Sequence, residues 1–562
     1  MSSTLPALIP ATAFGRPNWR LPHPPTMPSP KSAVEEFYVP RCPPTMNVSI
    51  PHLREAISSL ESKMAFLLNQ KNELESHLDQ AVRLQSPILR LPSELLSSIF
   101  VTGVLEMGED SLMVSTLMLV CRYWADVALN TPALWAKIFV SPHHSLERAR
   151  RKIERSKTCP IDVSINYGPH TEHMSNVTEQ ITRAMDLFRP ALCRTRSFHL
   201  CVPNRPQAHA ALARCKEDAP LLRTLTIEIC HAMQEDYSCL PLPLFNGHTP
   251  ALRSCALTSF NFGWDLTLLS RLRTLKLDGY FNSHSPSPAT LVSILRQCPT
   301  LEELTLRNLS DSESGPCVTT VENTQHPPTG KLIQLPRLKK ASFHYVGSAL
   351  TQHIFSQVTV PNLESLQMCY LQNVTPILQS LYAQALTRLP LRYLRIESSL
   401  FNEMTFVTLL RRLPSIVRLE LVDIEDVSSY FLKVLSSSQP WICPRLESLT
   451  LDGCTSLEWE YLRSLIESRL PANSQAYSRQ GIPLAPGITM LSSASAAAAA
   501  HARSKSHPNI RVTQPPVVFS AQRLRLVDVT RCSQISKEMV QWLRMYVADV
   551  KCEVTKGSWR DS

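Results

Sequence analysis

The first strong pattern in the chain is a row of apolar residues spaced alternately four and three positions apart. This spacing places the row on one face of an α-helix and is typical of a coiled-coil seam. It predicts a helix over residues 49–86, with a seam over residues 53–82 that one charged residue interrupts. The helix either self-associates as a short coiled coil or packs this face against its own chain. The seam consists of Leu53, Ile57, Leu60, Met64, Leu67, Lys71, Leu74, Leu78 and Ala81.

Residues 87–140 carry apolar side chains at helical spacing in two segments. Pro92 occupies a first-turn position where proline is tolerated, and Ser93 and Glu94 are helix-start signals. Thr131-Pro132 ends the second segment because proline disfavours helical backbone in the residue before it. A module of about fifty residues buries little surface alone, and this one has more large apolar side chains than its core needs. We therefore expect it to bind a partner.

Residues 141–189 are predicted to link this module to the rest of the chain. They contain a basic helical segment over residues 145–157 and, after Pro160, an alternating strand over residues 161–165. The basic segment is a nuclear localisation signal, a patch that binds an anionic surface, or a solvated helix face. The interspersed acids Glu147 and Glu154 favour the solvated face.

From residue 190 to residue 560 the chain repeats a unit, Pro-x-Leu-x-x-Leu-x-Leu, with other apolar residues at the last two positions. Most intervals between units are 20 to 30 residues, as in leucine-rich repeats. No unit can bury its leucines alone, so successive units are expected to stack into a solenoid. The predicted fold class is α+β, with a coiled-coil helix and a helical module before an α/β leucine-rich-repeat solenoid that contains a curved parallel sheet. The first apolar positions of the units are Leu222, Leu252, Leu272, Leu301, Leu338, Leu363, Leu391, Ile416, Leu446 and Leu524.

Composition sets two segments apart. Residues 1–48 are rich in proline, which prevents regular helix, and are predicted to form a disordered arm. Residues 471–520 are rich in serine, alanine and proline and interrupt the repeats. This low-complexity segment is predicted to be a disordered insertion.

The remaining composition excludes several classes of protein. Only 14 of the 562 residues are glycine, which argues against phosphate-cradling loops. The 16 cysteines lack zinc-site spacing and are expected to stay reduced inside a cell, so we expect no metal and no cofactor. No apolar run reaches the ~18 residues of a membrane span. The net charge of +10 is modest for this length and does not indicate nucleic acid.

The chain contains no recognisable catalytic motif, so we expect it not to be an enzyme. The polar strand positions of the repeats, which should form a concave face, carry mixed charge and few aromatic rings. Such a face suits a protein surface better than a nucleic-acid strand. Long polar side chains are the best candidates for binding a protein substrate, because arginine and tyrosine are enriched at interface hot spots. They are Arg307, Tyr393, Arg395 and Arg418.

Residues 87–140 resemble the F-box, in the version common in large fungal F-box families. The resemblance rests on the segments LPSELL at 91–96, IF at 99–100 and VCRYW at 120–124. It implies that this module docks on a Skp1-like adaptor, which connects it to a cullin. The residues implied in Skp1 binding are Leu91, Pro92, Leu95, Leu96, Ile99, Phe100, Val120, Cys121 and Trp124.

Together, the resemblance and the repeats predict the substrate-recognition subunit of an SCF-type (Skp1–cullin–F-box) ubiquitin ligase. In that arrangement the repeats hold an unknown protein substrate and catalysis lies elsewhere in the complex. The alternative is an F-box and leucine-rich-repeat scaffold that binds Skp1 without promoting ubiquitination. Either protein is expected in the cytoplasm, the nucleus or both.

Overall fold

The computed structural model describes the chain from residue 49 to residue 552 with several gaps. The chain divides into two units, with the boundary in the sequence between Leu91 and Pro92. The predicted disordered arm and the predicted disordered insertion both lie outside the described residues. The gaps are residues 86, 107–111, 172–175, 232–240, 282–284, 312–331, 386–388, 426, 438–439 and 471–520.

The described part of the first unit is helical. Helix α1 (Ile50–Gln85) is followed by a 3-10 turn (Pro87–Arg90). The helix predicted for residues 49–86 is therefore present. The large apolar residues of its seam are between 49% and 68% exposed. The charged seam residue Lys71 forms an ion pair with Glu75, one turn further on, at 3.7 Å.

The second unit begins with a small helical module. Its helices are α2 (Ser93–Glu106), α3 (Leu112–Val120) and α4 (Arg122–Leu129), and a 3-10 turn (Pro132–Trp135) closes it. A separate cluster of buried apolar side chains holds these elements together.

A parallel sheet of 14 strands follows, with neighbouring strands in chain order. Its alternating sequences favour strands because apolar residues can then all face one side. Two short strands, β8 (Ile333–Gln334) and β10 (Val358–Thr359), pair separately. The strands of the large sheet are β1 (Lys137–Val140), β2 (Ile161–Asn166), β3 (Thr195–Val202), β4 (Thr224–Ile229), β5 (Ser254–Thr258), β6 (Thr274–Tyr280), β7 (Glu303–Leu309), β9 (Lys340–Val346), β11 (Ser365–Cys369), β12 (Tyr393–Glu397), β13 (Arg418–Val422), β14 (Ser448–Asp452), β15 (Leu526–Asp528) and β16 (Asp549–Lys551).

Helices return the chain between many of these strands. Several begin at a polar residue whose side chain accepts a backbone N–H, as Asn402 does from Thr405 at 2.9 Å. The helices are α5 (Leu146–Arg155), α6 (Val177–Phe188), α7 (Arg205–Leu212), α8 (Pro288–Gln297), α9 (Ser348–Gln357), α10 (Thr375–Gln384), α11 (Glu403–Leu410), α12 (Ser429–Ser436), α13 (Trp459–Ser468) and α14 (Lys537–Tyr546).

One apolar core runs along the whole sheet. On β12, Leu394 and Ile396 are buried in it and pair with Leu419 and Leu421 of β13. The alternate residues of each strand lie on the opposite side, which we call the polar face. The mixed helix and strand content and the long parallel sheet confirm the predicted α+β class with a solenoid-like arrangement.

The sheet begins earlier in the chain than residue 190. Its first two strands, β1 and β2, precede that residue, and the segment 141–189 also supplies α5 and α6. Ile161, Val163 and Ile165 of β2 are buried in the common core. This segment is therefore part of the solenoid-like body and not a linker between domains. Its strand alternates like the later ones but lacks their leading Pro-x-Leu.

Candidate functional sites

The helical module has its own core, which fixes the direction of every helix. Cys121 caps α4, since its Sγ accepts the Trp124 backbone N–H at 3.5 Å. The Trp135 indole N–H donates to the Ala128 carbonyl at 2.9 Å and satisfies a buried donor. The core comprises Leu96, Phe100, Val114, Leu117, Val127, Ala128, Leu134 and Trp135.

Other large apolar side chains of this module point away from its core. On α2, Leu95 and Ile99 are each 54% exposed. They are four residues apart and so lie on one helix face. On α3, Leu119 is 83% exposed and Val120 is 55% exposed. Exposed large apolar side chains gathered on so small a module mark a surface that binds another protein.

The residues implied in Skp1 binding separate into three groups. Pro92, Leu95, Ile99 and Val120 are exposed, whereas Leu91, Cys121 and Trp124 are half-buried. Leu96 and Phe100 are 0% and 2% exposed and belong to the module's own core. Phe100 also packs against Trp124, with ring centroids 4.9 Å apart and the ring planes tilted by 57°. Leu96 and Phe100 therefore pack beneath the exposed apolar surface and are not part of it.

Two exposed leucines on α3, Leu112 and Leu119, are not among the residues predicted from the sequence to bind Skp1. They are seven residues apart and lie opposite the buried Val114 and Leu117. Helix α3 is mostly apolar, but its two polar residues, Ser115 and Thr116, are exposed on the same face as Leu112 and Leu119. These polar neighbours, together with the seven-residue spacing, are the signal that could have identified the two leucines as exposed.

The family comparison agrees with this geometry. Residues 88–141 match the model of the family described as F-box-like. The chain carries an F-box-like domain. The match covers the helical module and the start of the sheet, including the exposed residues of α2 and α3. No curated protein matches the chain.

Beyond the F-box-like domain, the polar face holds a network of charged groups at β12 and β13. The guanidinium of Arg395 donates to Glu397 at 2.9 Å and to Glu420 at 2.7 Å. The Tyr393 hydroxyl also donates to Glu420, at 2.8 Å, and Arg418 pairs with the same carboxylate. Three of the four predicted substrate-binding residues therefore come together around one buried acid.

Hydrogen bonding sets the charge state of this network. Burial alone would raise the pKa of Glu420, but hydrogen bonds from Arg395 and Tyr393 and the charge of Arg418 hold it below its usual value. Burial and the bond to Glu420 raise the pKa of Tyr393 to about 12. Glu420 is thus ionised and Tyr393 protonated near neutral pH. Neither acid, Glu397 or Glu420, was predicted as a site residue: the partnership of Glu420 with Arg395 depends on strand register, whereas Glu397 lies two residues after Arg395 on the same strand and could have been found from that spacing.

Arg307, the fourth predicted residue, lies apart from this network. Strands β9 and β11 separate its strand from β12, a distance of about 14 Å at the usual strand spacing. It is exposed and lines a cavity of about 510 Å³ on the polar face, together with Lys276, Glu303 and His344. Lys276 and Glu303 form an ion pair at 3.0 Å, so this part of the face also mixes both signs of charge.

Among the described residues, no group of histidine, cysteine and acidic side chains is arranged to hold a metal ion. Within the same part of the chain, no helix combines the length and the apolarity needed to cross a bilayer.

Proposed function

We propose that this chain is the substrate-recognition subunit of an SCF-type ubiquitin ligase. The observation that carries the proposal is the F-box-like domain with its exposed apolar residues on α2 and α3. These residues would dock on a Skp1-like adaptor, and the adaptor would connect the chain to a cullin. Such a complex acts in the cytoplasm, the nucleus or both.

In this proposal the chain contributes proximity and no chemistry of its own. It would hold a protein substrate near a ubiquitin-conjugating enzyme, which raises the effective concentration of substrate lysines there. The repeating units would be leucine-rich repeats, and the substrate would bind on their polar face. Mixed charge on a stiff sheet supports a protein partner, because fixed side chains lose little entropy on binding.

The substrate-binding residues proposed on this face have different roles. Arg307 and Arg418 are exposed and would present guanidinium groups to a partner, although Arg418 also pairs with Glu420. Arg395 and Tyr393 are half-buried and already bonded to Glu397 and Glu420. Their main contribution would be to hold the side chains of β12 and β13 on the polar face in one conformation.

The first test replaces two exposed residues of the F-box-like domain in the full chain. Burial of a leucine or isoleucine side chain contributes ~1.5–3 kcal/mol. The Leu95→Ala, Ile99→Ala variant should therefore bind purified Skp1 about 100-fold more weakly or worse, as measured by calorimetry. Its melting temperature should stay close to that of the wild type, because neither side chain is part of the core.

The matched control is Leu400→Ala with Met404→Ala, which removes two exposed apolar side chains from the repeats. This control should bind Skp1 like the wild type. Undiminished Skp1 binding by the α2 variant would refute the assignment. Recovery of Skp1 from cells without a cullin or a ubiquitinated client would favour the alternative, a non-ligase scaffold.

The second test concerns the polar face. Proximity labelling with the wild-type chain would first identify client proteins. The Arg307→Ala, Arg418→Ala variant should then recover at least tenfold less client, since hydrogen bonds from charged groups contribute ~1.5–3 kcal/mol each and two are lost. Skp1 recovery should not change.

The control for this test removes two exposed arginines from helices, Arg183→Ala with Arg463→Ala. Equal losses of client in both double variants would show an unspecific charge effect. Full client recovery by the Arg307, Arg418 variant would place the client site away from these strands.

We propose in addition that residues 53–82 of α1 self-associate through their apolar seam. The support is the seam itself, whose large apolar residues are exposed along the helix. Two F-box-like domains would then act on one client, or on two clients, at the same time.

A further inference from the structure

Four arginines occupy equivalent positions where four neighbouring strands of the sheet begin. The pairing of β3 to β6 aligns one residue from each strand, and the residues that directly precede these four therefore also lie side by side. The aligned residues are Ser197, Thr224, Ser254 and Thr274. Each preceding residue is an arginine with an exposed side chain. We call this row the arginine ladder, and it consists of Arg196, Arg223, Arg253 and Arg273.

Backbone hydrogen bonds fix the spacing of the arginine ladder. The Arg223 N–H donates to the Arg196 carbonyl at 2.7 Å. The Arg253 N–H donates to the Arg223 carbonyl at 2.9 Å, and the Arg273 N–H donates to the Arg253 carbonyl at 2.7 Å. Neighbouring strands lie ~4.8 Å apart, so the ladder spans about 14 Å. It presents four guanidinium groups on a backbone that needs no ordering before a partner binds.

The chain offsets the charge of the ladder only at its two ends. Arg196 donates to both carboxylate oxygens of Asp162, and the Arg273 guanidinium lies 3.7 Å from Glu302. The two middle arginines form no ion pair within the described part of the chain. Like charges at paired positions of neighbouring strands destabilise a sheet. An acidic partner placed along the ladder would remove this repulsion.

The acids that precede the middle of the ladder in the chain bind other groups. Glu217 and Asp218 lie six and five residues before Arg223. Glu217 forms an ion pair with Arg189, and Asp218 accepts a hydrogen bond from the Asn246 side chain at 3.1 Å. Neither contact leads to the ladder, so the positive charge of its middle part remains available to a partner.

A cavity beside the ladder extends the basic surface. It has a volume of about 660 Å³ and is lined by the segments that lead into β5, β6 and β7. Arg271 and Arg296 belong to its lining. Of the described residues that line it, none is an acid and none is a phenylalanine, tyrosine or tryptophan. The start of these strands therefore combines positive charge with few groups that could stack on a base.

We propose that the arginine ladder binds an acidic protein segment that is rich in aspartate or glutamate. The inference rests on the proposed function in one respect, since the bound protein would be the client. Guanidinium groups bind carboxylates in a bidentate geometry. An extended segment of about five residues, at ~3.4 Å per residue, spans the ladder. A single-stranded nucleic acid is the weaker candidate, because such sites add aromatic rings on which bases stack.

The test measures the binding of octaglutamate with blocked termini to the purified full chain, by fluorescence anisotropy of the labelled peptide. Saturable binding is expected at about 50 mM salt and should weaken as salt screens the charges. Arg223→Gln with Arg253→Gln should weaken binding about tenfold or more. This variant removes one long hydrogen bond, from Arg253 to the adjacent Leu252 carbonyl at 3.4 Å. Its melting temperature should therefore stay close to that of the wild type.

The matched control is Arg54→Gln with Arg544→Gln, which removes two exposed arginines from helices outside the ladder. The control loses the same amount of charge and should bind octaglutamate like the wild type. Equal weakening in both double variants would show attraction by net charge alone and would overturn the proposal. The absence of saturable binding by the wild type would overturn it as well.

Two further measurements separate the remaining outcomes. A thymidylate octamer that binds more tightly than octaglutamate, and loses this binding in the Arg223, Arg253 variant, would assign the ladder to nucleic acid and refute an acidic protein segment. Skp1 binding by the same variant should equal that of the wild type. Octaglutamate binding does not involve the F-box-like domain, so failure of the Skp1 test would refute the ligase assignment and leave the ladder result unchanged.

Discussion

A Glu420→Ala variant is expected to unfold with a free energy about 3 kcal/mol lower than that of the wild type, because removing one partner of a buried ion pair leaves its counter-charge uncompensated. The Glu420 side chain is 2% exposed, and Arg395, Arg418 and Tyr393 all bond to it. Its loss leaves the half-buried Arg395 with Glu397 alone. The effect should be local first, with faster hydrogen exchange in β12 and β13 before global unfolding.

Urea denaturation and hydrogen exchange would measure this effect. The control is Glu467→Ala, which removes an acid from the exposed helical pair with Arg463 at 2.8 Å. Exposed pairs of this kind contribute ~0.5 kcal/mol or less. A Glu420 variant no less stable than this control would show that the network does not hold the two strands together.

The same network predicts a dependence on pH. The folded-state pKa of Glu420 lies below its ordinary value. Its contribution is therefore fully present above the unfolded pKa of about 4.3, and it is lost as pH falls through the folded pKa. The difference in stability between the wild type and Glu420→Ala should accordingly shrink in acid. A difference that stays constant from pH 7 to pH 3 would contradict this account of the network.

Local periodicity was enough to predict the main elements of this fold. The four-three spacing predicted α1, and the alternation in segments such as residues 224–229 predicted strands like β4. These patterns carry the information because each strand buries every second residue against the core whatever its neighbours are.

The first strand of the sheet shows where local pattern fails. β1 is only four residues long and follows directly on the helical module. Its strand conformation depends on pairing with β2, for example between Ile138 and Val163. Nothing within the four residues indicates that partner, so the predicted start of the sheet lies too late in the chain.

The sequence also could not predict which apolar residues of α2 are buried and which are exposed. Leu95 and Leu96 are adjacent and equally apolar, yet one is 54% exposed and the other is 0% exposed. The packing of α3 and α4 decides which of the two leucines becomes part of the core.

The contact between Arg395 and Glu420 also depends on tertiary structure. These residues are 25 positions apart in the chain and come together because β12 and β13 pair in one register. Candidate residues could be found from the sequence, but not their neighbours.

The full chain is expected to be a dimer in solution, and Leu60→Asp with Leu67→Asp in α1 is expected to make it a monomer. The seam residues divide into two alternating heptad positions. The d set is Leu53, Leu60, Leu67, Leu74 and Ala81, and the a set is Ile57, Met64, Lys71 and Leu78. Leucine at four of the five d positions, with the β-branched Ile57 and one lysine at a positions, favours two parallel strands.

Lys71 is the residue that should set register and strand number. A charged side chain within a seam is tolerated where it can reach solvent and an acid, and Glu75 lies 3.7 Å from it on the next turn. In a parallel dimer the two Lys71 side chains lie at the same level and can both reach outward. A shifted register would bury each lysine against leucine. The lysine thus lowers stability but selects one arrangement.

Analytical ultracentrifugation of the full chain would measure whether the wild type has the mass of a dimer and the Leu60→Asp, Leu67→Asp variant that of a monomer. Two aspartates in the seam remove the burial of two leucines per helix, at ~1.5–3 kcal/mol each, and add charge there. The dissociation constant should therefore rise more than about 100-fold. The matched control is Ser62→Asp with Asn69→Asp, which adds the same charges at the same spacing on the outer face of α1 and should remain dimeric. A monomeric wild type would instead support a helix that packs against its own chain, and in that case the aspartates should destabilise the monomer more than the control does.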